Sequence, residues 1–255
     1  MEDYSERHPM IIPINTNSLA RFVRSGFGVR RMWRTIRNYR GRAQVVAKVH
    51  AGQSMVTRRE VSLLLGSPVL LVDAEVVALQ KYGQRAHSAI VEIGAAYGGS
   101  SLLFLLSKKE YTKVYSIDPF VVDSMDTFQA TRELCYNHVV RALADVGKAE
   151  RSSSWTLIPE YSYDRVKKWE SAINVLFIDG DHTYDAVKQD FEQWLPFVHS
   201  EGYILFHDSN ILPNTPDGKY NRGWPGPSRF VIELEKYPSV RMVEKIHSIT
   251  VFQKK

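Results

Sequence analysis

The feature that most constrains this sequence is a regular alternation of strand-like and helix-like segments that begins at Ala89. Five short apolar segments have strand character: 89–93, 113–117, 155–158, 173–178 and 202–206. Helical periodicity separates them, so right-handed crossovers should place the strands in parallel with helices on both faces. Two further predicted strands, 241–245 and 248–253, lie too close together for a crossover and should form an antiparallel hairpin. The sequence therefore predicts a doubly wound α/β fold with a seven-stranded, mostly parallel sheet.

Composition excludes several classes of protein. The chain has 255 residues, of which 44% are hydrophobic and 24% charged, as in ordinary globular proteins. Cys135 is the single cysteine, which excludes an internal disulfide and a thiolate-rich metal site. The apolar runs fall short of the roughly 20 residues that a membrane span needs, and the N-terminal residues lack the order of a secretory signal. We expect a cytoplasmic protein.

Charge is distributed unevenly along the chain. The net charge is +5, but the first 60 residues hold 12 Lys and Arg against 4 Asp and Glu. We therefore separate a basic N-terminal arm with helices, 1–60, from a slightly acidic body, 61–255. Arginines alternate with aromatic residues over 19–50, where three glycines should limit the chain to short helices: Gly26, Gly28 and Gly41.

Three interpretations of residues 19–50 remain open. The segment could form an oligomer contact or a lid, which is the favoured interpretation. It could instead bind an anionic membrane surface, making the protein membrane-peripheral, or an anionic glycan. Nucleic acid is the least favoured partner, because the sequence contains no recognised nucleic-acid module.

Acidic residues end four of the predicted strands: Glu92, Asp118, Asp179 and Asp208. Open α/β sheets bind ligands at the carboxyl ends of their strands. One acid in this position is commonly a helix cap or turn former. Four at one sheet edge suggest ligand hydroxyls, a metal ion or both, because an unpaired buried acid is costly.

A glycine-rich turn, 94–100, follows the first strand and opens a helix. Such a turn lets a ligand approach backbone N–H groups at the helix start. Asp118 lies 24 residues after Gly94, a suitable distance for an acid that binds ribose hydroxyls. The pair predicts a nucleoside-containing cofactor, and the alternative is a plain strand-to-helix turn. Ala96 stands where a dinucleotide fingerprint has its second glycine.

A second group of residues follows the fourth and fifth strands. Neighbouring strands are about 5 Å apart, so Asp179 and Asp208 could chelate one hard divalent cation, Mg²⁺ or Mn²⁺. His207 could be a further ligand or a structural histidine. His182 could act as general base for a substrate hydroxyl, or it could cap the following helix.

Four segments, in this order, carry a family resemblance: EIGAAYGGS at 92–100, IDPF at 117–120, FIDGDHTY at 177–184 and FHD at 206–208. Together they resemble class I S-adenosylmethionine-dependent methyltransferases, and most of all the metal-dependent O-methyltransferase branch. The PGP at 225–227 is similar to the cephalosporin-hydroxylase and rhamnosyl O-methyltransferase group. The resemblance covers about 70–255 and implies a Rossmann-like fold.

The resemblance also implies roles for individual residues. Asp118 would bind the ribose of S-adenosylmethionine. His182 would be the general base, with Asp179 as its catalytic partner. The metal ligands would be Asp179, His207 and Asp208. The other cofactor-binding residues would be Glu92, Gly94, Tyr97, Gly98, Ser100, Tyr161, Ser162 and Asp179.

This chain departs from the family pattern at His207-Asp208, where metal-dependent members often have Asp-Asn or Glu-Asp. The implied function is methyl transfer, assisted by Mg²⁺ or Mn²⁺, to a hydroxyl of a sugar, glycan or natural product. The loop 210–227 would cover this acceptor with Lys219, Tyr220, Arg222 and Trp224. A homo-oligomer is expected. The alternatives are a nicotinamide-dependent oxidoreductase and a non-catalytic nucleoside-cofactor-binding protein.

Overall fold

A computed structural model of the protein describes residues 26–121, 130–211 and 222–255. The chain divides between Ala43 and Gln44 into two compact units. The described part of the first unit is 26–43, and the second unit contains the sheet. The functional division of 1–60 from 61–255 stays a prediction.

The first described helix, α1, runs without a break over Gly26–His50. The prediction of short helices interrupted by glycine was therefore wrong. An isolated glycine within a helix costs only about 1 kcal/mol relative to alanine, so Gly41 does not end it. Past the unit boundary, α1 buries Val45 and Val49 in the core of the second unit. Residues 1–25, with the predicted arm and the start of the arginine-rich segment, lie outside the described residues.

The predicted seven-stranded sheet is confirmed, with the strand order β3-β2-β1-β4-β5-β9-β8. Strands β1 to β5 are parallel, while β9 pairs antiparallel with β5 and with β8. Two short strands, β6 and β7, form a separate ribbon. The bounds are β1 Ala89–Ile93, β2 Lys113–Ile117, β3 Trp155–Ile158, β4 Ile173–Ile178, β5 Val198–Phe206, β6 Ser209–Asn210, β7 Arg222–Gly223, β8 Val240–Ile246 and β9 Ile249–Lys254.

Helices cover both faces of the sheet. Threonine side chains cap three of them: Thr57 accepts from the backbone N–H of Glu60, and Thr131 and Thr183 cap α5 and α7 in the same way. The bounds are α2 Arg58–Leu65, α3 Asp73–Arg85, α4 Gly99–Ser107, α5 Arg132–Asp145, α6 Ser162–Arg165, α7 Tyr184–Trp194 and α8 Pro225–Leu234. Residues 122–129, which precede α5, lie outside the described residues.

Two apolar cores lie on opposite faces of the sheet. Ile90 of β1 belongs to the core under α2 to α5, while its neighbours Val91 and Ile93 belong to the core under α7 and α8. Successive strand residues point to opposite faces, so a strand covered on both sides needs apolar residues throughout. Polar residues are therefore concentrated where the strands end, and this places the candidate site.

No helix within the described ranges is long and apolar enough to span a lipid bilayer.

Candidate active site

A cavity of about 960 Å³ opens at the carboxyl ends of the parallel strands. It lies beside β1 and β4, where the order of the strands reverses, the position at which open α/β sheets bind ligands. Most of the residues predicted from the sequence line it: Gly94, Tyr97, Ser100, Asp118, Tyr161, Ser162, Asp179, His182, His207 and Asp208. Glu92 and Gly98 do not.

The glycine turn is shaped by close backbone contacts. Gly94 has φ +90°, and a Cβ there would lie 2.0 Å from the carbonyl oxygen of Asp179. Only glycine fits this position, which brings the turn against the end of β4. Gly98 has φ +87°, and its missing side chain leaves room for Val139 of α5. Gly98 thus packs against a helix instead of facing the cavity.

Asp118, at the end of β2, holds the glycine turn in place. Its Oδ2 accepts hydrogen bonds from the backbone N–H groups of Ala95 and Ala96, both at 2.9 Å. Its Oδ1 accepts from the N–H of Phe120 at 2.7 Å. Because two carboxylate oxygens offer about four acceptor sites, Asp118 retains capacity for hydroxyl groups of a ligand.

Glu92 lies behind the turn and is fully buried. Its Oε2 accepts from the hydroxyls of Ser101 and Ser116 at 2.5 and 2.6 Å. Burial raises the pKa of Glu92 to about 7, although hydrogen bonds from serines oppose the shift. Its side chain points toward α4 and away from the cavity, so the predicted direct contact with a cofactor has no support here. Its Oε1 has no hydrogen-bond partner among the described residues.

Two tyrosines stack at the far wall, with the ring centroids of Tyr161 and Tyr163 5.0 Å apart. Between them Ser162 donates a hydrogen bond to Asp190 of α7. Burial raises the pKa of Asp190 to about 6. Asp190 also lines the cavity, and the sequence analysis missed it. Exposed, flat rings beside polar groups suit an aromatic base.

The acidic end of the cavity brings together Asp179, His182 and Asp208, with one ligand atom from each within 4.8 Å of the others. The Nε2 atom of His182 lies 3.3 Å from Asp208 Oδ2 and 3.9 Å from Asp179 Oδ1. It is buried and lacks a hydrogen bond of good geometry within the described chain. Burial raises the pKa of Asp208, but the two neighbouring histidines outweigh it and leave that pKa below its usual range.

His207 occupies a different position from the one expected. Its Nδ1 lies 2.8 Å from Asp179 Oδ1, and its Nε2 lies 3.3 Å from Glu75 Oε2. A carboxylate only accepts hydrogen bonds, so both ring nitrogens donate and the imidazole is positively charged. Burial opposes this charge, but Asp179 and Glu75 raise the pKa of His207 well above its usual value. Among the described residues, the side chains grouped closely enough to hold a metal ion are those of Asp179, His182 and Asp208. The role of His207 as a metal ligand stays a prediction.

Glu75 of α3 is a second residue that the sequence analysis missed. It is 1% exposed, and it also accepts from Val72 N–H at 2.8 Å and from His247 Nδ1 at 2.9 Å. Burial raises the pKa of Glu75, but hydrogen bonds led by that from His207 lower it to about 2. One signal was present in the sequence, because Glu75 shares a helix face with the buried Leu79 and Tyr82.

The charges and donor atoms of this end fit a divalent cation. The carboxylates of Asp179, Asp208 and Glu75 surround one charged imidazole, His207, which leaves two negative charges. The unpartnered Nε2 of His182 adds a nitrogen donor beside the two aspartates. Carboxylate oxygens suit Mg²⁺, and the nitrogen is compatible with Mn²⁺.

The wall beyond His182 is formed by the start of α8. The rings of His182 and Trp224 lie 5.3 Å apart, and Trp224 is 55% exposed. The backbone N–H of Trp224 donates to the carbonyl of Asp208 at 2.7 Å, and a Cβ on Gly226 would lie 2.2 Å from the carbonyl oxygen of His182. The loop 210–227 was expected to cover the acceptor. Its residues 212–221, which include Lys219 and Tyr220, lie outside the described residues.

Comparison with known families matches residues 91–209 to a family described as a methyltransferase domain. This segment contains the glycine turn, Asp118 and all members of the acidic end except Glu75. Residues 91–209, slightly less than half of the chain, are similar to this family. The strand order found here is that of the class I methyltransferase fold, so the resemblance stated from the sequence is confirmed.

Two curated relatives match part of the chain. The uncharacterized protein R132 of Acanthamoeba polyphaga mimivirus is 30% identical over 123 residues, which are 46% of this chain and 50% of that protein. The uncharacterized protein y4gI of Sinorhizobium fredii is 28% identical over 125 residues, 48% of this chain and 13% of that protein. The chain thus spans half or less of the length of these relatives.

Solved structures share the fold at low sequence identity. A Corynebacterium glutamicum protein has a TM-score of 0.56 at 15% identity, covering 83% of this chain and 89% of that one. The O-methyltransferase TomG of Streptomyces achromogenes, involved in tomaymycin synthesis and solved with S-adenosylmethionine, has a TM-score of 0.55 at 15% identity and the same coverage. The likeness concerns the fold alone.

Proposed function

We propose that this protein is an S-adenosylmethionine-dependent O-methyltransferase assisted by a divalent cation. One observation carries the proposal: a single cavity joins a glycine turn and the acid that holds it, Asp118, to the cluster of Asp179, His182 and Asp208. A methyl donor and an acceptor hydroxyl must lie side by side for in-line transfer. This cavity has room and suitable groups for both.

The cofactor would lie along the first end of the cavity. The turn offers backbone N–H groups at the start of α4, and Asp118 has acceptor capacity for the ribose hydroxyls. The stacked Tyr161 and Tyr163 provide an aromatic wall for the adenine, while Ser162 and Asp190 add polar groups beside it.

The chemistry would occur at the second end. S-adenosylmethionine supplies an electrophilic methyl group, and a divalent cation lowers the pKa of an oxygen that it ligates. Asp179 and Asp208 would hold the cation, with His182 adjacent. His182 Nε2 has no hydrogen bond of good geometry among the described residues and lies 3.3 Å from Asp208 Oδ2, so we assign it to accept the proton of an acceptor hydroxyl. These two assignments of His182, to the cation and to the proton, are alternatives that a single ring nitrogen cannot combine.

We propose a hydroxylated small molecule as acceptor, from the sugars, glycans or natural products. Trp224, beside His182, gives an exposed aromatic face of the kind that packs against sugar rings or flat natural products. Homo-oligomerisation through the arginine-rich segment, 19–50, remains part of the proposal. Light scattering of the full chain beside a variant that starts at residue 44 would test it, with a smaller assembly expected for the shortened chain.

Calorimetric titration tests the cofactor assignment. S-adenosylhomocysteine and NAD are each added to the protein with and without Mg²⁺. We expect S-adenosylhomocysteine to bind and NAD to give no heat of binding. Binding of NAD without binding of S-adenosylhomocysteine would favour the oxidoreductase alternative and overturn the proposal. Ala96 already weakens that alternative, since it replaces the second glycine of the dinucleotide fingerprint.

A further inference from the structure

We propose that Glu75 is a positioning residue of the candidate cation site, acting on Asp179 through His207. The inference rests on the proposed function, because it takes Asp179 as a ligand of the cation. Glu75 belongs to α3, outside the segment 91–209 that matches the methyltransferase domain. It would therefore act on the site from outside the segment that the family match covers.

The geometry forms a continuous chain of contacts. Glu75 Oε2 faces His207 Nε2 at 3.3 Å, and His207 Nδ1 faces Asp179 Oδ1 at 2.8 Å. The side chains of Glu75 and His207 are 2% and 5% exposed, whereas that of Asp179 is 21% exposed and reaches the cavity. Both ring nitrogens of His207 face carboxylates although the residue borders the cavity, so Glu75 and His207 would act on a cation by holding Asp179.

Glu75 fixes the imidazole of His207 from the side opposite Asp179. With Asp179 as its only partner, the buried ring could turn about that single contact. The second carboxylate, on the opposite nitrogen, removes this freedom. A fixed ring holds Asp179 Oδ1 and leaves its other oxygen for a cation. Partners of this kind behind a metal ligand typically contribute 10- to 100-fold to metal affinity.

The two oxygens of Glu75 serve separate partners, which makes the role testable. Oε2 contacts His207 and the backbone N–H of Val72, while Oε1 contacts His247 and Ser248 in the turn between β8 and β9. If Glu75 only stabilised the fold, the loss of any of these contacts would have the same kind of effect on the protein. A positioning residue would affect the cation site only through His207.

The experiment measures Mn²⁺ binding by electron paramagnetic resonance on the full chain. It uses wild type, Glu75→Gln, His207→Gln and the double variant. We expect each single variant to weaken Mn²⁺ binding by about 10- to 100-fold. The Mn²⁺ affinity of the double variant should equal that of the single variant with the lower affinity. The effects of two residues that act through one contact are not additive.

His247→Gln is the matched control, since it removes the other histidine of Glu75 and leaves His207 in place. We expect its Mn²⁺ affinity to stay within about twofold of wild type, with melting temperatures recorded for every variant without metal. An unchanged Mn²⁺ affinity in Glu75→Gln, or an equal loss in His247→Gln, would overturn the inference. If Glu75→Gln does not fold, His207→Gln decides, since it keeps the contacts of Glu75 to the turn.

Wild-type behaviour separates this inference from the proposed function. If wild type binds S-adenosylhomocysteine but no Mn²⁺, the inference is overturned and the cofactor assignment stands. If wild type binds Mn²⁺ with the expected pattern of variants but no S-adenosylhomocysteine, the positioning role stands and the proposed function fails.

Discussion

The two ends of the cavity differ in the kind of chemical group that forms them. The cofactor end is made of backbone: a turn that only glycine permits at Gly94, and N–H groups that Asp118 holds at 2.9 Å. The acidic end is made of side chains, and one of its buried partners, Glu75, is 132 residues distant from His207 in the sequence. Backbone geometry leaves a local signature in the sequence, whereas a side-chain cluster is assembled by the fold.

The largest effect is expected at the backbone end. Asp118→Ala removes the acceptor that holds two N–H groups of the turn and the carboxylate proposed to bind the ribose. Losing charge-assisted hydrogen bonds worth about 3 kcal/mol together should weaken S-adenosylhomocysteine binding by at least about 100-fold in calorimetry. Asp185→Asn, an exposed acid of the same cavity, serves as control and should bind nearly as wild type.

The side-chain end should be separable from the cofactor end. Asp208→Asn replaces a proposed ligand of the cation while keeping its size. Loss of a direct ligand should exceed the 10- to 100-fold effect of a supporting partner, so we expect Mn²⁺ affinity to fall by more than about 100-fold. Binding of S-adenosylhomocysteine without metal should change by less than about twofold. An equal loss of affinity for Mn²⁺ and for S-adenosylhomocysteine would show that the two ends act as one site. It would contradict the distinction between the two ends.

A smaller effect tests the aromatic wall. Tyr161→Ala removes one of two stacked rings, whose contact with an adenine would be worth about 1 kcal/mol. S-adenosylhomocysteine should then bind about fivefold more weakly, with Mn²⁺ affinity unchanged. Tyr161→Phe, which keeps the ring, should bind as wild type. Equal losses in both variants would point to the hydroxyl and away from stacking.

The last expected effect concerns the stability of the fold instead of ligand binding, and it comes from Glu92. Burial raises the pKa of Glu92 from 4.5 to about 7 in the folded state, so the folded chain holds this proton more tightly than the unfolded chain does. Its contribution to the free energy of unfolding is therefore fully present below about pH 4.5 and is lost as the pH rises toward 7. The glutamine side chain in Glu92→Gln is neutral at every pH, so this variant does not lose stability at this position as the pH rises.

The measurement is the melting temperature of Glu92→Gln minus that of wild type, followed from pH 4.5 to 8. The difference should rise by ~5 °C, corresponding to ~2 kcal/mol for a domain of this size. Glu110→Gln, an exposed glutamate, should show a flat difference. A flat difference in Glu92→Gln as well would mean that Glu92 is ionised in the folded protein, in contact with water or a ligand.

The sequence predicted most of the fold because its signals are local. Strand and helix periodicity from Ala89 onward determined the sheet and its antiparallel edge, and the turn with Asp118 marked the cavity. The sequence analysis gave too much weight to Gly41 as a helix breaker. The helix has 25 residues, and one unfavourable position does not end it.

The acidic end could be predicted only in part. Asp179, His182 and Asp208 follow strand ends and were found, but the hydrogen bonds of His207 depend on how α3 packs above β5. That packing has no local pattern in the sequence apart from an acid on an apolar helix face. Asp190 was missed for the same reason, since its partner Ser162 comes from a different strand–helix connection.

A crystal structure of the full chain with S-adenosylhomocysteine and Mn²⁺, recorded at the manganese absorption edge, tests the central claim most directly. The account predicts ribose hydroxyls on Asp118 and an anomalous peak for manganese between Asp179 and Asp208. Nucleoside density elsewhere, or a cavity with no manganese peak at saturating Mn²⁺, would contradict it.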